Sequence, residues 1–160
     1  MSHTTKIATT PIRDVMALRT AVKNLQSMGV KIKLLEGTSP RMFYSNQLTK
    51  HLGRQDENCD FVLRLEDSNY DVGLIKNSKG VYEPVFDSWD GQVQSQLGNN
   101  IPSEEHCKLT KDELLTVPIS KFMMEYTKEA TINQAVSDGY IVDSCELDIN
   151  NEYVLTLSVD

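Results

Sequence analysis

Cysteine is scarce in this chain. Its three residues, Cys59, Cys107 and Cys145, are odd in number and widely spaced, so they build no disulfide framework and no Cys-x-x-Cys pair. No apolar run approaches the length of a bilayer-spanning helix, and the opening Met-Ser-His-Thr-Thr-Lys lacks the apolar core of a secretory leader. These absences place the chain in a reducing, cytoplasmic setting, away from membranes. A Gly-rich phosphate loop, a Gly-x-Ser-x-Gly elbow and a His-Glu-x-x-His helix are all missing, which removes the common signatures of nucleotide, acyl-transfer and zinc-protease chemistry. No basic stripe interleaved with aromatics is present, so direct nucleic-acid binding is not expected. Aromatics make up 7%, with one Trp, which is low but too many for a disordered chain.

Charge is unevenly placed. The net charge of −7 equals the count of acids from Glu129 to Asp160, a stretch without a single Lys or Arg. The first 36 residues are basic, with Lys6, Arg13, Arg19, Lys23, Lys31 and Lys33 against Asp14 and Glu36. The simpler expectation is that the two ends are neighbours and neutralise each other. The alternative is an acidic face for a basic partner.

The 160 residues suit a single domain with two irregular insertions, about 37–59 and 90–118. A strand is expected over 3–9. Asp14 then caps a helix whose stripe is Val15, Leu18, Val22, Leu25 and Met28, with Gly29 closing it. Val30, Ile32 and Leu34 alternate with lysines as a strand, and Phe61 to Leu65 form another. Tyr70 to Trp89 form a hairpin around Asn77-Ser78-Lys79-Gly80. Its apolar residues, Val72, Leu74, Val81, Val85 and Phe86, cannot share one face under simple alternation. That predicts a bulge near Gly73 or Pro84, and Gly73 inside a strand suggests either a bulge or a close approach of another backbone. A short helix is expected to start at Thr110-Lys-Asp-Glu113. Ile119 to Asp138 form the longest helix, with Phe122, Tyr126, Ile132, Ala135 and Val136 as its stripe. Strands at 140–147 and 153–159 complete the chain. The class is α+β: a mostly antiparallel sheet with helices on one face, ferredoxin-like in element order.

Several of these pieces resemble one family. They are Met1-Ser2-His3, Ile12-x-Asp14-x-x-x-Leu18-x-x-Ala21-Val22-x-x-Leu25, Tyr70-Asp71-x-Gly73, Tyr82, Val85-x-Asp87-x-Trp89, Tyr126, Ala135 and Gly139-Tyr140-x-Val142. The chain is similar in these to the hypothetical chloroplast open-reading-frame thirty-five family, a domain of unknown function found in cyanobacteria, plastids, other bacteria and tailed phages. It departs from the family in its longer links at 37–59 and 90–118 and in a final strand without a basic, aromatic ending. The resemblance implies a phage-encoded member acting in a host cytoplasm. It implies no activity, because the family carries no established one.

No catalytic residue and no cofactor are assigned, and an enzyme is disfavoured. Asp71, Asp87, Trp89 and Tyr126 are the candidate pocket or interaction residues. Trp89 is expected to be buried against the long helix near Phe122 or Tyr126, where Trp89→Ala would cost about 3–5 kcal/mol. Zinc would need His51, Cys59, His106 and Cys107 to converge from the two insertions, a spacing that matches no common signature. Asp56-Glu57 and Glu104-Glu105 are expected to be solvated acids. The favoured function is a non-enzymatic protein-interaction module, with a host or phage protein as partner and the insertions or the acidic C-terminal region as contact surface. One alternative is a small-molecule-binding protein or enzyme with a sheet–helix pocket. Another is a self-associating structural protein pairing through strand 153–159.

Overall fold

The computed structural model describes residues 2–6, 10–43, 46–98 and 117–159. The expected α+β class is present, with every strand pairing antiparallel. Asp14 caps helix α1 (Val15–Ser27) by accepting from the Ala17 N–H, and Gly29, at φ 94°, ends it. The buried stripe is Ala17, Leu18, Ala21, Val22 and Leu25. Met28 does not extend it: as the C-cap residue it leaves the helical face and is exposed.

Strands β2 (Ile32–Thr38), β3 (Cys59–Leu65), β4 (Val72–Lys76) and β5 (Tyr82–Phe86) form a meander in the order β2-β3-β4-β5. Asn77 closes the last hairpin by accepting from the Lys79 and Val81 N–H groups, while Gly80 takes φ 78°. The main core fills one face of this sheet with α1, α3 (Gln92–Leu97) and the long helix α4 (Ser120–Ser137). In α4, Phe122, Met123, Tyr126 and Ala135 are buried, whereas Val136, expected in the stripe, is exposed.

The remaining strands, β1 (Ser2–Lys6), β6 (Ile141–Leu147) and β7 (Tyr153–Ser158), form a second sheet in the order β1-β7-β6. Ala135 and Ile132 of α4 pack against its Leu155 and Leu157. The ferredoxin-like arrangement is not what forms: the strands divide between two sheets instead of interleaving in one. β7 is the central strand, paired with β1 on one side and β6 on the other, so it is not the open edge expected for self-association. Among the described residues no helix is long and apolar enough to cross a membrane.

The two ends are neighbours, through β1 against β7 and α1 against α4. Among the described residues, Arg19, Lys31 and Lys33 pair with Glu36, Asp67 and Glu66, all within the first 67 residues.

The segment expected as the first insertion covers the second face of the four-stranded sheet. Met42 and Leu48, the latter on the short helix α2 (Gln47–His51), pack over Leu35, Cys59, Val62, Ile75 and Val85. Glu57, expected to be solvated, holds the start of α2 by accepting from the Leu48 and Thr49 N–H groups and the Thr49 hydroxyl. With both faces covered, the hairpin needs no bulge. β4 and β5 pair without a register shift from Val72↔Phe86 to Lys76↔Tyr82, sending Val72, Leu74 and Phe86 to one core and Ile75 and Val85 to the other.

Gly73 is the point of closest approach rather than a bulge. A Cβ there would stand 2.6 Å from Cys59 Sγ, 3.0 Å from Val85 Cγ2 and 3.1 Å from Pro40 Cγ. Gly73→Ala is expected to cost about 1–3 kcal/mol by overpacking, read as a lowered urea midpoint at unchanged slope. A neutral result would mean that the cover over this face can lift.

Candidate interaction surface

Asp87 follows β5 directly and joins three segments. Its Oδ2 accepts from the Phe43 N–H at 3.0 Å and from Gln47 Nε2 at 3.3 Å, and its Oδ1 accepts from the Trp89 N–H at 2.9 Å. One carboxylate therefore fixes the covering arm against the turn after β5. It also sets two rings side by side: Phe43 and Trp89 have centroids 5.3 Å apart at 44°, and Phe43 meets Tyr70 edge-on at 6.5 Å. Trp89 is 59% exposed and Phe43 47%. This corrects the expectation that Trp89 lies buried against the long helix. The long helix is already packed by Phe122, Met123 and Tyr126, and the chain turns outward after β5 through Asp90 and Gly91, both left-handed at φ 58° and 60°.

Beside the rings, a groove of about 340 Å³ runs between α2 and β5, with Met42, Leu48, Leu52, Pro84 and Phe86 among its walls. Leu52 is itself 55% exposed. Exposed Trp, Phe and Leu around an apolar groove form the kind of patch that marks an interaction site.

Asp71 is scaffold to this surface. It is fully buried, and its carboxylate accepts from the Arg41 N–H at 2.8 Å, Arg41 Nη2 at 2.8 Å, Arg64 Nε at 2.9 Å and the Leu65 N–H at 3.2 Å. It thereby pins the covering arm to the sheet two residues before Phe43. Tyr70, next to it, is buried at the base of the rings. Burial first, and then the Asp87 and Asp90 charges, push its phenol pKa upward.

Tyr126 belongs elsewhere. Its hydroxyl accepts from the Arg13 N–H at 2.7 Å and the Asp14 N–H at 3.0 Å, holding the entry to α1. It lines a separate concavity of about 630 Å³, shared with Asp14, Asn133, Tyr140 and Leu155. The four residues named from the sequence therefore do not form one pocket. Asp71 and Asp87 are pins, Trp89 is surface, and Tyr126 lies at another site. Phe43, Leu52 and Arg41 were not singled out as functional, because nothing near them in the chain shows what they will meet.

Of the zinc candidates, His106 and Cys107 lie outside the described residues, as do Glu104-Glu105 and the Thr110–Glu113 capping box. His51 lines the groove. Cys59 is a core residue whose thiol is pushed up to about 11, chiefly by burial, which disfavours the thiolate that a metal requires. Among the described residues no group of three or more His, Cys, Asp or Glu could hold a metal ion.

A polar cluster joins α4 to the second sheet. Glu125 is buried and accepts from the Tyr153 hydroxyl and, at 2.8 Å, from Lys128 Nζ, which also lies 4.8 Å above the Tyr153 ring. Burial first, then the bond to Glu125, pushes the Tyr153 phenol up to about 12. A folded-state pKa above the ordinary value near 10 gives stability that is present below about pH 10 and lost as pH rises toward 12. Tyr153→Phe is expected to flatten that alkaline limb in thermal melts across pH; an unchanged limb would exclude Tyr153 as its source.

No family model, curated protein or solved structure matches the chain.

Proposed function

We propose that this chain is a non-enzymatic protein-interaction module that docks its partner on the Phe43–Trp89 surface and the adjoining groove. The observation that carries this reading is the lone Trp, 59% exposed beside an exposed Phe and held there by the Asp87 carboxylate. Large aromatics are the residues that most often dominate binding energy at interfaces. The nearby carboxylates of Asp71 and Asp87 are occupied by arginine and N–H donors, which suits a structural role better than general-base chemistry. The family resemblance supports a host or phage protein as the partner.

Affinity capture tests this with wild type, a Phe43→Ser/Trp89→Ser double variant and an Asp143→Lys/Glu146→Lys control on β6, each checked for fold by circular dichroism. The expected result is loss of the captured protein in the aromatic variant and retention in the control. Retention of every captured protein by the aromatic variant overturns the proposal.

The concavity beside Tyr126 favours a second reading, a small-molecule-binding protein with a sheet–helix pocket. A ligand screen by thermal shift, repeated on Asn133→Leu, tests it. Hits that shift both proteins equally would exclude this concavity.

A further inference from the structure

Two acidic residues belong to the docking surface. Asp87 lies at its base, and the exposed Asp90 follows Trp89 directly. Both carboxylates are close enough to push the Tyr70 phenol pKa upward, and the Tyr70 ring meets Phe43 edge-on. The guanidinium of Arg41, two residues before Phe43 in the chain, is committed to Asp71 and to the Leu65 carbonyl. An indole face carries negative potential of its own, and carboxylates beside it strengthen the pull on a cation. The conformation of Asp90 points the same way. At φ 58°, ψ 17°, it occupies a left-handed position where glycine is unstrained, immediately before Gly91, which does the same. Asp is one of the few residues that take this conformation readily, so the turn sets an exposed acid directly after Trp89 in the chain.

Arginine fits such a place better than lysine. Its planar guanidinium stacks on an aromatic face while its edge pairs with a carboxylate, and it sheds water more readily. The groove next to the rings is apolar and suits an aliphatic neighbour. Resting on the interaction reading above, we propose that this surface recognises an arginine side chain in an extended segment of a partner protein, the guanidinium stacked on Trp89 and paired with Asp90, and a neighbouring apolar side chain seated between Met42, Leu52 and Val85.

Trp89 is the only Trp, so its emission reports on the site directly. The probes are two capped peptides, Gly-Leu-Arg-Gly-Leu-Gly and the same peptide with citrulline, which keeps the shape of arginine and removes its charge. The arginine peptide is expected to change Trp89 emission saturably, with the citrulline peptide binding at least about tenfold more weakly. Asp90→Asn, which keeps the left-handed preference, is expected to cut that discrimination to about threefold or less. Equal binding of the two peptides, no saturable change with the arginine peptide, or full discrimination in Asp90→Asn would each overturn the proposal. Equal binding would remove only the cation and leave apolar docking in place. The interaction reading stands or falls separately, on capture by the Phe43→Ser/Trp89→Ser variant.

Discussion

Asp71→Ala is expected to lower stability by about 3–5 kcal/mol, the range for removing one partner from a buried charge network. For a chain of this length that is a fall of roughly 6–20 °C in Tm. The side chain has no exposure, and its loss would leave the Leu65 N–H without an acceptor and release two guanidinium groups that face it. Both arginines are partly exposed and can turn toward water, which relieves part of the stranded charge and puts the expected loss at the lower end of that range. Asp71→Asn separates the two contributions: its amide oxygen can still accept from Leu65, so it should recover part of the loss. Denaturant unfolding of the three proteins checks this. Equal stability of wild type and Asp71→Ala would show that the covering arm is held by its apolar contacts alone.

Trp89→Ala is expected to change stability by about 1 kcal/mol or less, as at an exposed position whose ring meets Phe43. The same change should weaken partner binding by about 2 kcal/mol or more, the threshold for a dominant interface residue. That is roughly 30-fold in affinity. Phe122→Ala, at a fully buried position of α4, is the contrasting control and should cost about 3–5 kcal/mol. The comparison requires urea unfolding followed by circular dichroism, alongside a binding titration with the captured partner. A destabilisation of Trp89→Ala as large as that of Phe122→Ala would return Trp89 to the core and remove the surface on which the proposed function rests.

The candidate site was half legible. Asp71, Asp87 and Trp89 were singled out as a group, and they do surround one region of the molecule. Their roles were not legible. A buried carboxylate and an exposed one look alike in a chain, and Trp89 invites burial on account of its size alone. The Arg41 and Phe43 contacts that decide the matter come from 30 residues away, for Asp71, and 44, for Asp87. Tyr126 is named with them from the sequence, yet its hydroxyl serves the entry to α1.

What the chain alone determined is what acts over a few residues. The Asp14 cap, the α1 stripe from Leu18 to Leu25, the left-handed Gly29, the Asn77–Gly80 turn and the alternation of Leu155 and Leu157 all take the form their local pattern predicts. Each is settled by backbone preference, side-chain capping or period, with no distant partner needed. Tertiary structure alone decided that the strands among the described residues divide into two sheets, that β7 lies between β1 and β6, and that the segment expected as an insertion covers the outer face of β2–β5. One trace of that cover was present in the run Phe61-Val62-Leu63, where consecutive apolar residues imply burial on both faces. What would do the covering was not. An apolar strand records that it needs a partner on each side, but which segment supplies one depends on free energy summed over contacts far apart in the chain, and no local pattern carries that sum.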